Sequence, residues 1–197
     1  MTSLSCIPDL LNWKIDLGLD TFVETGCFKG DGIQSAIDFG FKRIFSCDIN
    51  TQWFDVCGIR FSDHKNVHLV NGSSIEFLHW LFTDQMVNSG CLFWFDAHFK
   101  QFCAGVEHDN PDKLDDSDTF PLFNELQMMK EYTEGCVAFC DDMRVMKDSG
   151  RWNEVLNHMK IDRTIQELIN VVECDKYQAQ YIDSGEGILR VTPCVNG

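Results

Sequence analysis

The sequence predicts an α/β fold, a doubly wound and mostly parallel sheet that ends in an antiparallel hairpin. Five short apolar runs recur along the chain, segments with helical spacing lie between them, and two strand-like runs in the tail flank a glycine-containing link. Apolar runs without polar alternation read as strands buried on both faces. Repeated βα units bring such strands into a parallel sheet with helices on either side. Low-complexity tracts, internal repeats and Pro/Ser linkers are absent, so residues 1–197 read as one domain.

Residues 1–19 form an N-terminal extension, with a short lid or packing helix around Leu10 to Trp13. The first strand is Thr21 to Glu24, and Gly32 to Phe39 follows with helical spacing. Arg43 to Asp48 is the second strand and Thr51 to Phe61 its helix. Val67 to Asn71 is the third strand, and the next helix, Ser74 to Thr83, opens on Ser73 and Glu76, a capping box in which each side chain satisfies the other residue's amide. Cys91 to Asp96 is the fourth strand; Pro121 to Tyr132 is a helix whose proline suits the first turn, where no amide donor is needed. Cys136 to Asp141 is the fifth. Helical patches at Trp152 to Met159 and Arg163 to Val172, broken near Ile161-Asp162, form the last crossover. Tyr177 to Asp183 and Ile188 to Thr192, joined by Ser184-Gly185-Glu186-Gly187, read as a hairpin and hence an antiparallel edge.

Sixteen Lys and Arg against thirty-one Asp and Glu leave a net charge of −15. Such a chain repels phosphate backbones and anionic lipid heads, so nucleic acid and membrane surfaces are poor partners. Ten cysteines without a CxxC pair, several in apolar strands, read as buried reduced thiols. Cys136 and Cys140, four apart on one strand, lie too far apart for a single zinc ion. No basic-then-apolar leader is present, and no apolar run approaches the roughly 18 residues of a membrane span. A soluble, cytoplasmic protein is the expectation; an oligomer is allowed.

Between the first strand and its helix runs Glu24-Thr25-Gly26-Cys27-Phe28-Lys29-Gly30-Asp31-Gly32. Glycines there let backbone approach a ligand where a Cβ would clash, and ligands of doubly wound sheets bind beyond the carboxyl ends of the strands. The spacing G-x3-G-x-G differs from the G-x-G-x-x-G of dinucleotide folds, and a pyrophosphate is disfavoured beside Glu24. A cationic cofactor is not. S-adenosylmethionine carries an ammonium and a sulfonium, and Asp48, closing the second strand, is placed to accept both ribose hydroxyl protons.

FVETGCFKGDG and the later FSCDIN resemble the first two motifs of class I S-adenosylmethionine-dependent methyltransferases, over roughly residues 20–193 by motif order. The resemblance implies a Rossmann-like, seven-stranded sheet with its last strand antiparallel. It implies cofactor contacts from Glu24, Gly26, Gly30, Asp48 and Asp96. Where related sequences often carry an acid after the third strand for the adenine side, this chain has Asn71-Gly72-Ser73-Ser74, so Ser73 or Asn71 takes that place.

Asp96 closes the fourth strand and Asp141-Asp142 the fifth, neighbouring ends on the expected cofactor side. Three carboxylates there would repel or take up protons unless a hard cation such as Mg²⁺ neutralised them. His98, in Asp96-Ala97-His98, adds a titratable base. The set resembles metal-dependent sugar O-methyltransferases of the macrocin and novobiocin type. By that resemblance Asp96, Asp141 and Asp142 are Mg²⁺ ligands and His98 the base, with Asp142, His108 or a metal-bound hydroxide as competitors, and Arg144 pairs with a carboxylate or anchors substrate. The acidic stretch 97–118 reads equally as a substrate lid or a solvated insertion. The expected activity is methylation of a hydroxyl on a small molecule or sugar; the rival is a non-catalytic cofactor-binding protein of the same fold. A nicotinamide-dependent oxidoreductase needs the other glycine spacing.

Overall fold

The computed structural model describes residues 4, 7, 10–97, 121–143, 146, 164–183 and 187–194. Its elements in chain order are α1 (Leu10–Asp16), β1 (Thr21–Thr25), α2 (Asp31–Asp38), β2 (Arg43–Asp48), α3 (Thr51–Arg60), β3 (Val67–Asn71), α4 (Ser74–Thr83) and β4 (Cys91–Phe95). They continue with α5 (Leu122–Tyr132), β5 (Val137–Cys140), α6 (Ile165–Val172), β6 (Tyr177–Ile182) and β7 (Ile188–Pro193). The expected patch at Trp152 to Met159, His98, His108, Arg144 and nearly all of the acidic stretch lie outside the described residues.

The seven strands form one sheet in the order β3-β2-β1-β4-β5-β7-β6. β1 to β5 are parallel, and β7 runs antiparallel to both β5 and β6. The order reverses between β1 and β4, which fixes where a ligand crevice opens. Register brings the carboxyl ends level: Thr25 lies opposite Cys47 and Phe95, Asp48 opposite Asn71, and Phe95 opposite Cys140.

Successive strand residues feed opposite layers. Val23, Phe45, Phe93 and Ala138 pack with Phe77, Leu81, Leu126, Met129 and Leu168 of α4, α5 and α6. Phe22, Ile44, Leu92 and Phe139 pack with Leu10, Ile33, Ala36 and Cys57 of α1, α2 and α3. β1, β4 and β5 are buried throughout, as the runs of β4 and β5 predict, and in β1 the burial takes in Thr21, Glu24 and Thr25 as well. β3 departs from that expectation. It is an edge strand with no residue fully buried, because only β2 hydrogen-bonds to it.

The Ser73–Glu76 capping box is present, and a second, formed by Thr164 and Glu167, opens α6. Of eight cysteines described, all are free; six are buried, while Cys174 and Cys194 are half-buried. Among the described residues no helix is long and apolar enough to cross a membrane.

Candidate active site

The β1–α2 turn lies at the point where the strand order reverses. Amides of Gly26 and Cys27 both donate to the Cys47 carbonyl, at 3.0 and 2.9 Å, so the turn folds across the end of β2. Gly26 has φ +85°, and a Cβ there would stand 2.7 Å from the Asp96 carbonyl oxygen. Gly30, also left-handed, would drive a Cβ to 2.5 Å from the Phe61 ring, and one on Gly32 would stand 1.8 Å from a Glu24 carboxylate oxygen. These glycines were expected to leave room for a ligand. Their missing side chains instead make room for the protein's own atoms, pressing the turn onto β4, α3 and Glu24. What then faces the crevice is main chain.

Two acids sit at the heart of this arrangement. Glu24, 2% exposed, accepts a 2.7 Å hydrogen bond from the Ser46 hydroxyl. Burial pushes its carboxyl well above the ordinary range, against the Ser46 hydrogen bond, and the charges of Asp96, Cys57 and Asp48 push the same way. Asp48, 8% exposed, accepts from the Phe28 amide at 2.9 Å and the Asn50 amide at 2.8 Å, one on each oxygen. Burial raises its pKa, and those two amides oppose the rise. Asp48 thus ties the glycine turn to the entry of α3. Helix α3 itself is capped by Asn50, whose side chain accepts from the Gln52 amide.

A carboxylate has about four acceptor positions, so the two amide bonds leave Asp48 capacity for ligand hydroxyls. The side chains around it are strained or unsatisfied. Phe28 has a left-handed φ of 43°, an uncommon setting for a bulky residue. Phe28 packs on Trp53 with ring centroids 4.5 Å apart, and the Lys29 ammonium lies 5.1 and 5.9 Å from the two rings. The Thr25 hydroxyl, the Asn50 amide nitrogen and the Trp53 indole nitrogen are buried without a hydrogen-bond partner among the described residues. Unsatisfied buried polar atoms are rare outside functional sites. Thr25 and Asn50 lie in the two segments singled out from the sequence, FVETGCFKGDG and FSCDIN, whereas Trp53 falls in the helix that follows and was not among the expected site residues.

At the third strand end, the Asn71 amide donates to the Asp48 carbonyl at 2.8 Å and its oxygen accepts from Thr51. The Ser73 hydroxyl is held by Glu76, accepting from its amide and donating to its carboxylate. Each expected adenine-side residue therefore already has a structural partner.

The acids expected to hold a cation follow β4 and β5. The Asp96 amide donates to the Thr25 carbonyl and the Asp141 amide to the Phe95 carbonyl, which extends the two strand ends. Asp142 takes a left-handed φ of 57° and donates its amide to an Asp141 carboxylate oxygen at 2.8 Å. Among the described residues no three of His, Cys, Asp and Glu gather in a way that could hold a metal ion. Asp96, Asp141 and Asp142 lie just past the carboxyl ends of the neighbouring strands β4 and β5, as their sequence positions suggested. Position along a strand end fixes neighbourhood, while the backbone after it decides where a carboxylate points. The charges of Asp96 and Asp48 do reach Glu24, where they add to burial in raising its pKa.

No family model matches the chain, and no curated protein sequence does. Solved structures do. The SAH-bound methyltransferase PaMTH1 of Podospora anserina superposes with a TM-score of 0.62 at 11% identity, covering 97% of this chain and 84% of that one. An O-methyltransferase from Bacillus cereus in complex with SAH gives 0.64 at 12% identity, covering 94% and 79%. A putative rRNA-methylase from Clostridium thermocellum gives 0.55 at 11%, covering 93% and 95%. With its strand order, its antiparallel β7 and its turn over the β1–β4 switch point, the chain has the fold of the class I S-adenosylmethionine-dependent methyltransferases.

Proposed function

We propose that the chain is an S-adenosylmethionine-dependent methyltransferase that methylates a hydroxyl oxygen of a small molecule or sugar. The observation that carries this reading is the buried Glu24–Asp48 pair bracketing a main-chain turn at the switch point. A dinucleotide pyrophosphate would meet repulsion there, whereas a cofactor with an ammonium, a sulfonium and a ribose diol finds opposite charge and acceptors. The bound cofactor supplies an electrophilic methyl group on a positively charged sulfur.

The chain's own residues position and discriminate. Asp48 accepts the ribose hydroxyls on the lone pairs that Phe28 and Asn50 leave open. Glu24, Gly26 and Gly30 form the amino-acid side of the cradle, with Asp96 flanking it at the end of β4. Asn71 and Ser73 border the adenine side through their backbone, since their side chains are engaged. His98, two residues beyond Asp96 in sequence, takes the proton from the acceptor hydroxyl.

Mg²⁺ held by Asp96, Asp141 and Asp142 rests on the sequence resemblance alone, because among the described residues no three of His, Cys, Asp and Glu stand in a metal-holding arrangement. The B. cereus O-methyltransferase among the structural neighbours supports oxygen as the acceptor atom, while the rRNA-methylase neighbour marks how little the fold constrains the acceptor. The net charge of −15 favours a small molecule over RNA.

The test is transfer of labelled methyl from S-adenosylmethionine to a panel of sugars, catechols and small hydroxy metabolites, with and without chelator. Transfer to a panel member, lost in His98→Ala, supports the reading. Cofactor binding with no transfer to any of them favours the rival, a binding protein of this fold, to which the prior engagement of Ser73 and Asn71 also lends support.

A further inference from the structure

The glycine turn carries a thiol that the methyl-transfer reading does not use. Cys27 sits in the turn, and Cys57, thirty residues later in α3, meets it from below. Both sulfurs converge on one acceptor, the Phe28 carbonyl oxygen, with Cys57 Sγ at 3.3 Å and Cys27 Sγ at 3.8 Å. The neighbouring Cys27 thiol favours the Cys57 thiolate and lowers its pKa, while Cys27 itself is pushed up. Arg60 fastens the same helix to the turn through the Lys29 carbonyl at 2.6 Å and Asp31 at 3.0 Å. Turn and helix are thus held in register, and the sulfurs are adjacent without being bonded.

We propose that Cys27 and Cys57 are a peroxide-oxidisable dithiol whose disulfide disables the cofactor cradle. In the first step the Cys57 thiolate attacks a peroxide oxygen; the O–O bond breaks, hydroxide leaves, and Cys57 becomes a sulfenic acid. In the second, Cys27 sulfur attacks Cys57 sulfur, the S–O bond breaks, and the thiol proton leaves with the departing oxygen as water. Two thiols and one hydrogen peroxide give one disulfide and two waters; sulfur is oxidised and peroxide oxygen reduced. An S–S bond of about 2 Å requires the turn to shift toward α3. The sulfur contacts that hold the Phe28 carbonyl in the reduced pair are lost at the same time. The amide of that residue is the one held by Asp48, so the movement is transmitted to the proposed ribose acceptor.

The dithiol rests on its own geometry, and only its consequence rests on the cofactor reading. Reduced full-length chain is treated with a slight excess of hydrogen peroxide, alkylated, digested and analysed by mass spectrometry, with S-adenosylmethionine binding measured on the same sample. The expected result is a peptide containing Cys27 linked to one containing Cys57, with affinity lowered about tenfold or more and restored by dithiothreitol. Cys57→Ser forms no link, and peroxide leaves its affinity unchanged. Absence of the linked peptide in the wild-type chain overturns the proposal, as does a linked peptide with unaltered affinity. A reduced chain that binds no cofactor overturns the methyltransferase reading instead, and the linked peptide then decides the dithiol by itself.

Discussion

Glu24 shows how one residue serves the site at the expense of the empty fold. Its carboxyl is raised by burial, so between the unfolded and folded pKa values the folded chain holds a proton that the unfolded chain has released. Stability of the ligand-free protein therefore falls as pH rises through that window, and Glu24→Gln is expected to flatten the fall. Urea unfolding of both proteins across a pH series checks this; an unchanged slope would contradict the burial argument. A bound cation beside Glu24 favours its ionised form, so cofactor binding to the wild-type chain releases a proton and tightens with rising pH. Calorimetry in buffers of different ionisation enthalpy reads that release, which Glu24→Gln lacks. Gly26 makes a separate case. Its φ of +85° and a Cβ position 2.7 Å from the Asp96 carbonyl leave no alternative residue without a backbone shift. Gly26→Ala is expected to destabilise by about 2 kcal/mol or more, read from the denaturation midpoint.

Among the elements, the antiparallel pair β6–β7 is joined to the parallel body by the β5–β7 ladder and by a buried pair of hydroxyls. The Tyr177 hydroxyl, buried at the start of β6, lies 2.8 Å from the Thr133 hydroxyl at the end of α5. Thr133 also lies 2.6 Å from the Met129 carbonyl, which takes its proton, so Tyr177 is the donor between the two. Burial pushes the Tyr177 hydroxyl up to about 12, which keeps it protonated throughout the neutral range. Tyr177→Phe leaves the Thr133 oxygen without its donor and is expected to cost about 1–3 kcal/mol in chemical denaturation, without altering cofactor affinity. Weakened cofactor binding would show that the edge and the site are coupled. The strands of this sheet were readable because β4 and β5 are apolar at every position, a pattern that double-sided burial produces, while β1 sets Phe22 and Val23 between polar residues that are buried as well. The exposure of β3 was not readable, since its run Val67–Asn71 is as apolar as a central strand's and only strand order reveals an edge.

For the whole molecule, topology was legible and the chemistry of the crevice only in part. The alternation of strands and helices fixes which ends cluster, and Glu24 and Asp48 are both buried at the carboxyl ends of the neighbouring strands β1 and β2. Sequence spacing says that Gly26, Gly30 and Gly32 must be small; it does not say whether ligand or protein occupies the space, and here protein does. Nor does it give the carboxylate directions at Asp96, Asp141 and Asp142, which depend on the backbone beyond the strands and on the left-handed turn at Asp142. Cofactor binding built on the β1 and β2 ends involves no cation, so it is expected to survive exhaustive chelation, measured by equilibrium dialysis; loss on chelation and recovery with Mg²⁺ would restore the three acids as ligands.

The claim on which the account turns is that Asp48, held by the Phe28 and Asn50 amides, is the ribose acceptor of a bound S-adenosylmethionine. Titration calorimetry of the reduced chain with that cofactor, set beside Asp48→Asn of matched thermal stability, tests it most directly. The account predicts one cofactor per chain for the wild type and affinity reduced about a hundredfold in the variant, the scale of losing charge-assisted hydrogen bonds. No binding by the wild-type chain, or binding that Asp48→Asn leaves intact, would contradict it.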